Sequence, residues 1–112
     1  MSQAINKKEE LLYSRLGGDP DLGEIVTMFV DEMPDRVSTL KTQFDGNDLE
    51  NLRRTAHQLK GAAGSYGFDP ISPAAAKLEN SLRDSEPIDQ IRVAVEELID
   101  MCSRVRAGSP ER

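Results

Sequence analysis

The chain contains no tryptophan, one cysteine and one histidine, and only 4% of its 112 residues are aromatic. Each scarcity closes off a class of function. A lone Cys102 has no partner for an internal disulfide, so the apolar core must hold the fold, as suits a reducing cytoplasm. One histidine, with no second His, no H-E-x-x-H spacing and no cysteine near it in sequence, falls short of the usual transition-metal ligand sets. No apolar run approaches the ~20 residues that cross a bilayer. Residues Met1 to Lys8 lack the apolar centre of a signal peptide, so a cytoplasmic protein outside the membrane is expected. Cations are the minority, 14 Lys and Arg against 20 Asp and Glu, for a net charge of −6. That balance argues against nucleic acid, whose phosphates demand clustered Lys and Arg.

What is present is helical periodicity. A chain of 112 residues buries one core but not two. Residues 6–16 read as a short helix, with Asn6 and Glu9 as a capping box and Leu12 and Leu16 on one side, ended by Gly17-Gly18. Beyond Asp19-Pro20-Asp21, apolar residues at Leu22, Ile25, Val26, Phe29, Met33, Val37, Leu40 and Phe44 keep a helical spacing, with a kink expected near Met33 because Pro34 lies inside. Gly46-Asn47-Asp48 is a turn in which Asn47 or Asp48 would cap the next helix. That helix carries Leu49, Leu52, Ala56, Leu59 and Ala63 on its buried stripe and stops between Gly64 and Gly67. Asp69-Pro70 or Ser72-Pro73 opens the following one, striped by Ile71, Ala75, Leu78 and Leu82, with Glu79 and Arg83 as an i,i+4 pair on another face. The last reads Ile88, Ile91, Val95, Leu98, Cys102 and Val105 and ends around Arg104, Arg106 and Gly108.

No segment alternates apolar and polar residues as a half-buried strand would. The expected fold is all-α, an antiparallel up-and-down four-helix bundle with a short extra N-terminal helix. It divides into an N-terminal extension (1–18), the bundle (19–108) and a frayed tail (109–112).

The segment from Ala56 to Gly67 holds the one histidine. At about 100° per residue, His57 points roughly 120° away from the buried stripe, toward water. Gly61 (i+4) and Gly64 (i+7) follow it on the same side. A glycine inside a helix is about 1 kcal/mol worse than alanine, and Ala62 and Ala63 stand beside these two. The physical reason is then steric: something large comes close to the imidazole. Arg53 (i−4) and Lys60 (i+3) flank the same face with positive charge, which suits an anion delivered by a partner.

Other groups carry less. Glu50, two turns ahead of His57, fits a solvated face better than a ligand pair. Cys102 sits on an apolar stripe as a small buried hydrophobe. Glu96, Glu97 and Asp100 form a solvated helix face. Met28 and Met33 belong to the core or its rim, with a part-exposed edge there offering partner surface. Gly61, Gly64 and Gly67 do not form a nucleotide loop, since no strand precedes them and the spacing is not that of a phosphate loop. No ATP site is expected.

The string His57-Gln58-Leu59-Lys60-Gly61, followed by Gly64 and Gly67 and preceded by Leu52-Arg53-Arg54-Thr55-Ala56, resembles the signature of histidine-containing phosphotransfer (HPt) domains. The likeness runs as a matching helix plan from about residue 19 to residue 106. It implies a four-helix bundle that takes a phosphoryl group from a receiver-domain aspartate and passes it to another in a multistep two-component relay. By that resemblance His57 is the phosphorylated residue, Lys60 the cation beside its phosphoryl group, and Gly61 the small residue clearing its approach. Gly64, Arg53 and Gln58 face the partner, and Gly67 closes the helix. The implied partners are response-regulator receiver domains and a hybrid histidine kinase. The chain itself would be a monomeric carrier without catalytic turnover and without a cofactor of its own, Mg²⁺ being held by the receiver. Two other readings remain: a helical adaptor that binds a receiver-like partner without being phosphorylated, and a module of a hybrid or chemotaxis-type sensor kinase.

Overall fold

A computed structural model describes residues 10–109. Four helices follow in order, α1 (Gly23–Asp45), α2 (Leu49–Ser65), α3 (Ile71–Arg83) and α4 (Ile88–Cys102). Each packs against the next and α4 closes back on α1, which gives the expected up-and-down bundle. The apolar stripes meet inside it: Val26, Phe29, Met33 and Leu40 from α1, Leu52, Ala56, Leu59 and Ala63 from α2, Ile71, Ala75 and Leu78 from α3, and Ile91, Ala94, Val95, Leu98 and Cys102 from α4. Burial pushes the Cys102 thiol up to about 12, as an inert core residue requires. Two members of the α1 pattern, Leu22 and Ile25, lie exposed instead. Helix α1 passes Pro34 without a break.

The first three helices stop in the same way. At the end of α2, the Phe68 N–H donates to the Ala63 carbonyl (2.9 Å) and the Gly67 N–H to that of Gly64 (3.2 Å). Gly67 sits at φ +82°. This is the paired hydrogen-bond pattern in which a left-handed residue satisfies the last carbonyls of a helix. Asn47 (φ 56°) and Ser85 (φ 54°) do the same after α1 and α3. Phe68, directly after Gly67, turns into the core and stacks on Phe29 with ring centroids 5.5 Å apart.

Two boundaries differ from the sequence reading. Of the expected N-terminal helix, residues 6–9 lie outside the described residues, and residues 10–16 are not helical. Leu12–Tyr13 instead form a short strand, β1, paired in parallel with β2 (Val105–Arg106) in the register Leu12 to Val105. The reason is that a helix of this length is marginal alone, and long-range partners take its backbone groups. The Leu12 N–H donates to the Arg104 carbonyl (2.8 Å) and the Arg15 N–H to that of Gly67 (3.2 Å). The Ser14 hydroxyl donates to the Tyr66 carbonyl. For the same reason α4 stops at Cys102, and buried Val105 reaches the core from β2 rather than from a further helical turn. Helix α3 begins at Ile71, with Pro70 in the capping position. Of the two expected openings the helix thus uses Asp69-Pro70, and Ser72 lies inside the first turn.

Asp48 occupies the cap position of α2, but its carboxylate accepts from the Asn51 side chain (2.9 Å) and not from the helix backbone.

Gly67→Ala should destabilise the fold. Its φ is left-handed, and an added Cβ would lie 2.5 Å from Ser14 Oγ. A loss of about 2 kcal/mol, or roughly 10 °C in melting temperature, is expected in a thermal circular-dichroism scan.

Candidate functional site

His57 stands mid-way along α2 with 63% of its side chain exposed, on the outward face that helical arithmetic assigns it. Its ring is nevertheless held. Nδ1 lies 2.8 Å from Glu79 Oε2 on α3, and Lys60 Nζ lies 2.8 Å from the other oxygen of that carboxylate. Glu79 is nearly buried, with only 6% of its side chain exposed. The expected Glu79–Arg83 pair does not form: Arg83 turns to the Asn80 side chain, and Glu79 faces α2. The sequence pattern hid this because Glu79 directly follows the core residue Leu78, on the flank of the α3 stripe. It becomes visible only once α2 is placed against that flank.

A buried carboxylate tends to keep its proton. Here the hydrogen bond from Lys60, supported by that from His57, outweighs desolvation and holds the Glu79 carboxyl below its ordinary value of 4.5. An ionised carboxylate only accepts hydrogen bonds, so the proton on the imidazole must sit at Nδ1. Nε2 then carries the lone pair, and among the described residues it has no hydrogen-bond partner. In the neutral ring this arrangement presents an oriented Nε2 lone pair to solvent, with a carboxylate behind the ring to offset charge that develops when Nε2 forms a bond.

The remaining predicted residues divide into near and far. Gly61 is open: an added Cβ would meet nothing within 4 Å, so nothing inside the molecule requires a glycine there. Gly64 differs, since its Cβ would lie 3.3 Å from Ser72 Oγ on α3. Gln58 is exposed on the other flank and lines a shallow groove with Thr55 of α2 and Glu32, Asp35, Arg36 and Thr39 of α1. Arg53 is engaged by Glu50 at 2.8 Å, and Arg54 approaches the same carboxylate at 3.5 Å. The hydrogen bond from Arg53, then its charge, holds the Glu50 carboxyl low. Lys60 is thus the cation tied to the imidazole, and Arg53 belongs to an ion cluster one turn earlier. Among the described residues no group of His, Cys, Asp and Glu could hold a metal ion, and no helix is long and apolar enough to cross a membrane.

The family model for the Hpt domain matches residues 24–108. The chain belongs to the Hpt domain family. Among its relatives is the phosphorelay protein LuxU of Vibrio cholerae serotype O1, 27% identical over 101 residues that make up 90% of this chain and 88% of LuxU. Another is the phosphotransferase RcsD of Escherichia coli K12, 32% identical over 83 residues, which are 70% of this chain but 9% of RcsD. No solved structure matches this Hpt chain.

The ion triad predicts a pH signature. Because Glu79 is held below its ordinary value in the folded protein, its contribution to stability is fully present above about pH 4.5 and is lost as pH falls through its lowered folded value. Acid titrations followed by circular dichroism should show the native protein losing stability more steeply below that pH than Glu79→Gln, whose amide does not titrate.

Proposed function

We propose that this Hpt domain is a phosphoryl carrier of a two-component phosphorelay, accepting a phosphoryl group on His57 Nε2 from a receiver aspartyl phosphate and passing it to a second receiver. The observation that carries this reading is the Glu79 carboxylate at Nδ1, which fixes the proton on one nitrogen and frees the other. In the accepting step the Nε2 lone pair forms a bond to phosphorus while the phosphorus–oxygen bond to the receiver aspartate breaks. That oxygen leaves with the electron pair, restoring the carboxylate. The ring keeps its Nδ1 proton and becomes cationic, with Glu79 behind it. Phosphoryl transfer asks mainly for in-line placement and charge stabilisation. Lys60, held beside the ring by the same carboxylate, supplies positive charge toward the phosphoryl oxygens. In the reverse step the cationic ring is the leaving group and departs neutral.

A receiver needs a broad surface. The outward turn at Gly61 lies between the α3 flank, which carries Glu79, and the α1 flank, which carries the groove of Gln58 and Arg36. At about 100° per residue, Ile25 and Met28 share that α1 flank with Glu32 and Arg36. Met28 is 57% exposed, so α1 offers an apolar edge to a docked partner. Mg²⁺ and the acidic residues that bind it belong to the receiver in this scheme, and the Hpt chain works as a carrier with no ATP chemistry of its own.

Incubation with a phosphorylated receiver should place acid-labile, base-stable label on the chain, and His57→Gln should abolish it; label that persists in that variant would overturn the assignment. Gly61→Gln separates docking from folding. Glutamine is a better helix former than glycine by about 0.5–1 kcal/mol, and space around Gly61 is empty. The variant should therefore melt at or above the native temperature while transfer slows by at least about tenfold, as expected when an approach is displaced.

A further inference from the structure

The second tie between α2 and α3 lies two turns from the first. The Ser72 hydroxyl donates to the Lys60 backbone carbonyl at 2.8 Å. That carbonyl also lies within the helical repeat of α2, so Ser72 uses its second lone pair. The room for this contact comes from Gly64, whose missing side chain would sit 3.3 Å from Ser72 Oγ. Ser72 and Glu79 are seven residues apart, so they share one face of α3. Lys60 binds both of them, Ser72 through its main chain and Glu79 through its ammonium group. A hydrogen bond to a main-chain carbonyl inside a helix fixes position, because the carbonyl has no rotamers; the long Glu79 and Lys60 side chains do not.

We infer that Ser72 is a positioning residue for the phosphoacceptor: its bond to the Lys60 carbonyl sets the register of α3 on α2 and so delivers the Glu79 carboxylate to His57 Nδ1. Gly64 serves the same register, admitting Ser72 between the helices. The inference rests on the reading of His57 as phosphoacceptor for its relevance, but its geometry concerns the imidazole alone. Without the Ser72 bond, α3 can slide and rotate by the few tenths of an ångström that separate a good hydrogen bond from a poor one. The Nδ1–H tautomer then loses its anchor.

The test reads the ring nitrogens of His57 by ¹⁵N NMR above the range where imidazole is cationic, with no receiver present. Three comparisons serve: Ser72→Ala, Glu79→Ala as the variant that removes the anchor itself, and Ser103→Ala, which deletes a hydroxyl just past the end of α4 that bonds back to the Ile99 carbonyl. Ser72→Ala should move the tautomer ratio part of the way toward that of Glu79→Ala while helical circular dichroism stays native. Ser103→Ala should leave it where it was. Phosphotransfer to Ser72→Ala should slow about fivefold, the effect one neutral hydrogen bond supports. A native tautomer ratio in folded Ser72→Ala would overturn the inference without touching the role of His57, whose failure shows separately as label persisting in His57→Gln. Ser72→Thr keeps the hydroxyl and should keep the ratio; a shift there as large as in Ser72→Ala would also overturn it, because it would mean that packing and not the bond matters.

Discussion

A single nearly buried carboxylate sets the geometry of this molecule. Glu79 brings an ionised group into the α2–α3 interface, where desolvation works against its charge. Both of its oxygens are occupied, one by an imidazole and one by an ammonium, and these contacts outweigh the desolvation. Those donors sit three residues apart on α2, one helical turn, so the carboxylate bridges them only if α3 lies close and correctly rotated. Small side chains allow the approach: Ala56 and Ala63 on α2 and Ala75 on α3 are fully buried, and Gly64 lets the start of α3 in. Close approach of the two helices is what brings the glutamate within reach of both donors.

Much of the fold was legible because bundle helices announce themselves through stripes. The buried residues of α2 are four of the five read from spacing, and Gly67 marked its end. What was not legible depends on contacts remote in sequence. Leu12 and Leu16 have helical spacing, yet Leu12 pairs with Val105 and the Ser14 hydroxyl reaches the Tyr66 carbonyl; local propensity cannot report a competitor that distant. Val105 continues the α4 stripe numerically but arrives in the core from a strand. Phe68 belongs to no stripe because it follows a helix end, and nonetheless fills the core against Phe29.

The candidate site was half visible. His57, Lys60 and Gly61 stand together on an outward face, as the periodicity of α2 requires. Sequence spacing pairs Glu79 with Arg83 because i,i+4 is a property of one helix, whereas the partners of Glu79 lie on another. The same limit applies to the glycines: sequence treats Gly61 and Gly64 alike, one helical turn apart, while the structure leaves one open and sets the other against Ser72. One is empty toward solvent and the other is filled by a neighbour.

The distances along the chain over which these ties close differ widely. His57 and Glu79 are 22 residues apart, on consecutive helices, and Ser72 lies 12 residues from the carbonyl it meets. The N-terminal strap closes over 52 residues at Ser14 and over 94 at the contact between Arg104 and the Glu10 carbonyl. Short loops close with less loss of chain entropy and earlier in folding. The His57–Glu79 contact is therefore assembled within one helical hairpin, and the strap can open in a local fluctuation while that hairpin keeps the imidazole oriented.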